Sequence, residues 1–145
     1  MQLTERKGDL FKDAEEGAAL AHCISEDCRM GKGIAAIFKK NYGGVSELLK
    51  QVREGKKTGT AAVLRRDERL VFYLITKRIY SDKPTYESLE SSLMDMKNEL
   101  LTAGVTKLAI PKLGCGLDGL NWHQVKAIIE RVFEDTDVDV VVYLL

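Results

Sequence analysis

Leu70-Val71-Phe72-Tyr73-Leu74-Ile75, closed by Thr76-Lys77-Arg78, is the stretch on which the fold turns. It is short for a helix and rich in β-branched and aromatic residues, so it reads as a strand. Successive residues of a strand face opposite ways, and here both sets are apolar. Both faces of the sheet must therefore be covered, as happens when helices pack on either side. Just upstream, Thr60–Leu64 is a second β-rich run. Polar Arg65-Arg66-Asp67-Glu68-Arg69 separates the two, so the pair reads as a hairpin.

Elements alternate outward from this centre. Toward the N-terminus lie a short strand at Leu3–Lys7, the turn Gly8-Asp9, and a strand at Ala18–Ser25. That strand carries Leu20, His22 and Ile24 on one face and Ala19, Ala21, Cys23 and Ser25 on the other. The second face is all small residues, which lets something approach the backbone closely. A loop, Glu26–Gly33, opens a helix bearing Ile34, Ile37 and Phe38. Gly43-Gly44 breaks it before an amphipathic stretch with Val45, Leu48, Leu49 and Val52. Toward the C-terminus a long helix begins near Pro84 and shows Leu89, Leu93, Met96 and Leu100 on one stripe, with Gly104 as its stop. Strand Lys107–Ile110, Pro111 and a glycine loop come next. A last helix carries Val125, Ile128, Ile129, Val132 and Phe133, with Asn121 and Gln124 as cap and capping-box partner. Val138–Leu145 is a closing apolar strand. Such alternation predicts an α/β fold: a three-layer α/β/α sandwich around a mixed, mostly parallel sheet. Ligands of such sheets sit beyond the carboxyl ends of the strands.

The chain has 145 residues, with 22 Lys+Arg against 22 Asp+Glu. That is the length of one domain, 1–145, able to bury roughly 68–70% of its unfolded surface. Zero net charge argues against a protein that grips nucleic acid mainly by neutralising phosphates, while leaving room for local basic patches. No apolar run approaches the ~20 residues of a membrane span, and Gln2-Leu3-Thr4-Glu5-Arg6-Lys7-Gly8 lacks a signal peptide's apolar core. Three cysteines, Cys23, Cys28 and Cys115, suit a reducing interior better than a disulfide scaffold. The expected setting is intracellular, cytoplasmic or nuclear, with no membrane partner.

Gly114-Cys115-Gly116-Leu117-Asp118-Gly119 fits G-x-G-x-x-G, and Gly31-Lys32-Gly33-Ile34-Ala35-Ala36 fits G-x-G-x-x-A. Glycines let a backbone approach a phosphate, and the start of a subsequent helix offers it N–H donors. One such loop is a common turn; two, each between strand and helix, point to a diphosphate. A Rossmann dinucleotide site fits poorly, because no acidic residue stands at the far end of the next strand. The Walker spacing is absent. Zinc is disfavoured: His22 and Cys23 face opposite ways, and no C-x-x-C or H-E-x-x-H spacing occurs. Cys115 and His123 form a conceivable nucleophile pair with no third orienting group. Lys77 is either a solvated lysine at a strand end or a desolvated amine over a cleft, able to attack an electrophilic carbon. Asp118 is a turn residue or a catalytic acid, and Asp9 and Ser25 have ordinary turn readings as well.

Several blocks, taken together, resemble the macrodomain family: Gly8-Asp9-Leu10-Phe11, Ala21 through Ala35, Leu74-Ile75-Thr76-Lys77, Lys83-Pro84-Thr85-Tyr86 and Pro111 through Asp118. The likeness is to its terminal ADP-ribose protein glycohydrolase branch, to which macrodomain antitoxins acting on ADP-ribosylated DNA are related. The resemblance implies that Asp9 contacts the adenine amino group, with Leu10 beside it and Leu145 closing that side. It implies that Ser25 lies near the distal ribose, and that Gly31, Gly33 and Ile34 line that ribose and the diphosphate. Leu113, Gly114, Cys115, Gly116 and Leu117 would wrap the diphosphate. Lys77 matches the family's nucleophile and Asp118 its acid/base aspartate; no metal or cofactor is implied. Cys23-Ile24-Ser25-Glu26 stands where many macrodomains carry Asn-Ala-Ala-Asn, which separates this chain from their asparagine-and-water mechanism.

The resemblance implies a hydrolase that frees ADP-ribose from ADP-ribosylated Glu and Asp side chains and deacylates O-acyl-ADP-ribose, acting as a monomer on mono-ADP-ribosylated proteins. The competing readings are a module that binds ADP-ribose without cleaving it, and an enzyme acting on ADP-ribosylated nucleic acid. Lys32, Lys39, Lys40, Arg78 and Lys83 are the candidates for a strand-binding groove in the latter.

Overall fold

A strand apolar on both faces needs a layer above and a layer below, and the computed structural model of this chain, which describes residues 1–144, supplies both. The elements in order are β1 (Gln2–Lys7), α1 (Leu10–Asp13), β2 (Ala19–Ser25), α2 (Gly33–Tyr42), α3 (Val45–Arg53), β3 (Thr60–Arg66), β4 (Arg69–Lys77), α4 (Tyr86–Thr102), β5 (Lys107–Ile110), α5 (Trp122–Phe133) and β6 (Asp139–Leu144). The strands lie side by side as β1-β6-β5-β2-β4-β3. All neighbours are parallel except the β3/β4 hairpin.

Phe72 and Leu74 of β4 pack with Leu89, Leu93 and Met96 of α4 and Val125 and Ile129 of α5. Val71, Tyr73 and Ile75 face the other way, onto Phe38 of α2 and Leu48 of α3. The small face of β2 is explained here: Ala19 and Ala21 lie in the α4/α5 core. At these two residues a helical layer approaches the backbone, while Cys23 and Ser25 farther along the same face line a cleft.

Several expected details differ. The hairpin turn is tighter, with only Asp67 and Glu68 outside the strands, both at positive φ (51° and 62°), the geometry that matches strand twist. Helix α4 starts two residues after Pro84: Thr85 is its cap and forms a capping box with Ser88. Asn121 does cap α5, but Gln124 returns no bond to it; the Asn121 N–H donates to the Tyr86 hydroxyl instead, at 3.0 Å. The four-residue α1, capped by Asp9, is too short to leave a periodic signal. No described helix is long and apolar enough to cross a membrane.

The outer margin of β3 is closed by side chains. The Gln51 amide donates to Val63 O at 2.8 Å and accepts from Val63 N at 3.0 Å. Asp95 accepts from Ala61 N at 2.8 Å and is paired with Lys56 at the same distance.

His22, 1% exposed, is stacked on Phe38 at 3.8 Å and meets Tyr73 edge-on at 4.9 Å. Neither of its nitrogens has a hydrogen-bond partner among the described residues. Burial drives its pKa down to about 3 and outweighs the opposing influence of the Cys23 backbone. Folding keeps His22 neutral where the unfolded chain protonates it. Stability should therefore fall as pH drops from about 6.5 toward 3, by up to about 1.4 kcal/mol per pH unit from this group. Urea unfolding of wild type and His22→Phe across that window measures it. Their stability difference must change with pH, and a constant difference refutes the assignment.

Candidate active site

In a parallel sheet a crevice opens where successive connections leave in opposite directions. Here that point lies between β2 and β5. From β2 the chain proceeds to the β4 side, and from β5 to the β6 side. The two strands pair only at Ala19 with Leu108 and Leu20 with Ala109. Beyond these, β5 gives way to Pro111, which has no N–H to continue the ladder. The resulting cleft holds about 920 Å³, within the usual range for small-ligand sites. The loops after β2 and β5, the end of β4 and the Tyr80–Lys83 segment line it.

Lys77 reaches this cleft through a break in the ladder. Ile24 pairs with Ile75, but Ser25 pairs with Lys77, so β4 has one extra residue, Thr76. Such a bulge bends its strand and re-aims the next side chain along. The backbone groups it frees are satisfied locally. Ser92 donates to Ile75 O at 3.0 Å, Ser88 to Thr76 O at 2.7 Å, and Gly59 N to Ile75 O at 2.7 Å. Glu26 N donates to Lys77 O at 3.0 Å. Thus held, Lys77 Nζ lies 2.7 Å from Asp118 Oδ1, with side chains 13% and 20% exposed. An amine and a carboxylate in direct contact can exchange a proton without an intervening water.

Two backbone cradles flank this pair. Lys32 caps α2 without a side-chain bond, so N–H groups of the first turn are free to meet an anion. Cys28 and Met30 of the same loop sit at positive φ, 53° and 46°, though neither is glycine. Both are buried, and that packing offsets the strain. The second loop is folded on itself by Leu120 N to Gly114 O at 2.8 Å and Gly119 N to Gly116 O at 3.1 Å. The N–H groups of Gly116 and Leu117 have no acceptor among the described residues. Three residues separate Asp118 from α5, whose own start is capped by Asn121.

Surface contacts lace the mouth together. The Arg29 guanidinium lies 4.2 Å over the Tyr80 ring, and Tyr80 N donates to Asp27. Lys83 donates to Leu117 O at 3.0 Å. The Leu117 side chain extends to within contact of a Cβ built on Gly33, so it spans the two glycine loops. Asp27 also takes a short hydrogen bond from the Ser25 hydroxyl. Burial opposes its charge, yet bonds from Ser25, Tyr80 N and Arg29 N hold its carboxyl below the usual range.

Of the residues expected in the site, Ser25, Gly31, Gly33, Ile34, Lys77, Leu113, Gly114, Cys115, Gly116, Leu117 and Asp118 all line the one cleft. Asp9 and Leu10 do not. One Asp9 carboxylate oxygen caps α1, and Leu10 is buried. Their turn nevertheless adjoins the cleft, since Gly8 N bonds Leu144 O and a Cβ on Gly8 would touch Tyr143. Leu145 lies outside the described residues. Sequence reasoning missed Tyr80 and Tyr143 of the lining, which carry no motif. The cysteines are poor nucleophiles. Burial, then the neighbouring Asp118 and Cys115, pushes the Cys23 thiol far up, and burial also raises Cys115. His123 stands exposed on α5.

Comparison with known proteins agrees with this geometry. The Macro domain family model matches residues 21–129. The human ADP-ribose glycohydrolase OARD1 is 56% identical over 99% of this chain and 92% of its own length. The DNA ADP-ribosyl glycohydrolase of Mycobacterium tuberculosis is 27% identical over 97% of this chain and 42% of its own. The solved macrodomain of Thermus aquaticus DarG superposes with a TM-score of 0.87 at 27% identity, covering 99% of each chain.

Gly114 and Gly116 separate conformational need from mere proximity. Gly114 has φ +69°, and a Cβ there would stand 2.8 Å from the Leu120 side chain; Gly116 faces open space. Gly114→Ala should cost about 1–2 kcal/mol and Gly116→Ala less than about 0.5. Thermal unfolding of the two variants measures the gap, and equal shifts would refute it.

Proposed function

Because the chain belongs to the Macro domain family, we propose that its cleft binds ADP-ribose and that it is an ADP-ribose glycohydrolase, releasing ADP-ribose from modified Glu and Asp side chains and from O-acyl esters. The observation that carries the catalytic part is the Lys77–Asp118 contact at 2.7 Å. A module that only binds needs the two cradles but has no use for a half-buried amine held against a carboxylate.

The geometry supports a role for each group. The free N–H groups of the two glycine loops receive the diphosphate, whose charge they and the start of α2 stabilise. Ser25 lies toward the distal ribose, and Asp9 and Leu10 beside the adenine end. Substrate covering the cleft excludes water, and Asp118 takes a proton from Lys77 within the pair. The neutral amine attacks the anomeric carbon of the distal ribose, a carbon–nitrogen bond forms, and the bond to the substrate's carboxylate breaks. The ribose ring opens as the lysyl adduct becomes an imine. Water then adds to the imine carbon, Asp118 returns its proton to the leaving amine, and the ring closes to free ADP-ribose. The domain 1–145 acts as a monomer in a reducing, intracellular setting, a reading its three unpaired thiols support.

Lys77→Ala and Asp118→Ala should each lower release of ADP-ribose from a glutamate-modified protein at least about a hundredfold. Calorimetry should find ADP-ribose still bound by both. Wild type that binds but releases nothing would leave a binding module.

A further inference from the structure

A second hollow, of about 330 Å³, lies between the end of β4 and the start of α4. Lys77 lines both this hollow and the main cleft. Its wall contains the bulged residue Thr76, which is 2% exposed and whose hydroxyl has no hydrogen-bond partner among the described residues. The neighbouring hydroxyls are all engaged. Ser88 donates to Thr76 O, Thr85 accepts from Ser88 N, and Thr58 donates to Glu26. A buried hydroxyl without a partner is costly unless a ligand completes it. Arg78 and Lys83 also line the hollow, against the single carboxylate of Asp82. The Arg78 side chain is unpaired among the described residues, and Lys83 bonds only a carbonyl.

We propose that this hollow is the leaving-group subsite, taking an acidic polypeptide segment on either side of the modified residue. The proposal rests on the hydrolase reading. The group expelled leaves as a carboxylate still attached to its polypeptide. With the sugar diphosphate in the main cleft, that polypeptide continues beyond its mouth, and Lys77, Asp82 and Lys83, which line both spaces, make this hollow the surface adjoining it. Thr76 supplies the buried donor, Arg78 the charge that selects acidic flanks, and Lys83 closes the wall beside Leu117. A nucleic acid strand fits less well. Its bases need aromatic faces to stack on, and none of the described residues lining this hollow is aromatic.

The test uses the full chain and three substrates: a peptide with one ADP-ribosylated glutamate between glutamates, the same peptide with alanine flanks, and O-acetyl-ADP-ribose, which has no polypeptide. Arg78→Glu should lower kcat/KM on the first by roughly tenfold and change the other two less than about twofold, with added salt narrowing the gap. Thr76→Val should raise Tm, since it removes an unpartnered buried hydroxyl, yet lower kcat/KM on the acidic peptide roughly threefold. Equal losses on all three substrates, or no loss on the acidic peptide, would overturn the subsite. So would a loss confined to a fourth substrate assayed beside them, an ADP-ribosylated single-stranded oligonucleotide. Wild type active on all three but indifferent to flanks overturns the subsite alone; wild type inactive on all three overturns the hydrolase reading and the subsite with it.

Discussion

The position of Lys77, the proposed nucleophile, depends on one extra residue in β4. In a regular ladder the residue opposite Ser25 would be Thr76; the slip puts Lys77 there, with its carbonyl taken by Glu26 N. The slip persists because α4 presents two serines one turn apart, Ser88 and Ser92, to the carbonyls of Thr76 and Ile75. Packing underneath is complete: every residue from Leu70 to Thr76 is buried. The amine is thus mounted at the end of a buried strand, while its partner Asp118 comes from a loop 41 residues away. Placing reacting groups on such elements keeps their geometry without a cost at each turnover.

Sheet order does the rest. Because β2 and β5 share only two paired residues before diverging, the loops beyond them face one another across a gap. Each loop leaves backbone donors unspent: one at the start of α2, the other in a turn held by its own internal bonds. The binding proposed here would draw on main chain, in keeping with the glycines and small residues that mark these loops and the few side chains that do.

Much of this was readable in the chain itself. Leu70–Ile75 announced two covering layers, and the stripes of α4 and α5 fell where their apolar spacing put them. Assignment of Lys77 and Asp118 to catalysis came from family resemblance; taken alone, each had an ordinary alternative as a strand end or a turn. Their contact was invisible to periodicity because it depends on a register slip and a loop fold, both non-local. Local competition explains the smaller errors. Thr85 and Ser88 satisfied the start of α4, leaving Pro84 outside, and Tyr86 took the Asn121 N–H that Gln124 was expected to receive. The small face of β2 signalled close approach, which divides between the helical layer at Ala19 and Ala21 and the cleft at Cys23 and Ser25.

The covered margin of β3 has a consequence for how copies of this chain coexist. An open sheet offers unpaired main-chain groups to any extended segment that passes, the usual seed of aggregation and of strand exchange. Gln51 and Asp95 imitate a neighbouring strand at Val63 and Ala61, so that invitation is withdrawn there. A crowded solution of folded molecules meets side chains where it would otherwise find a template.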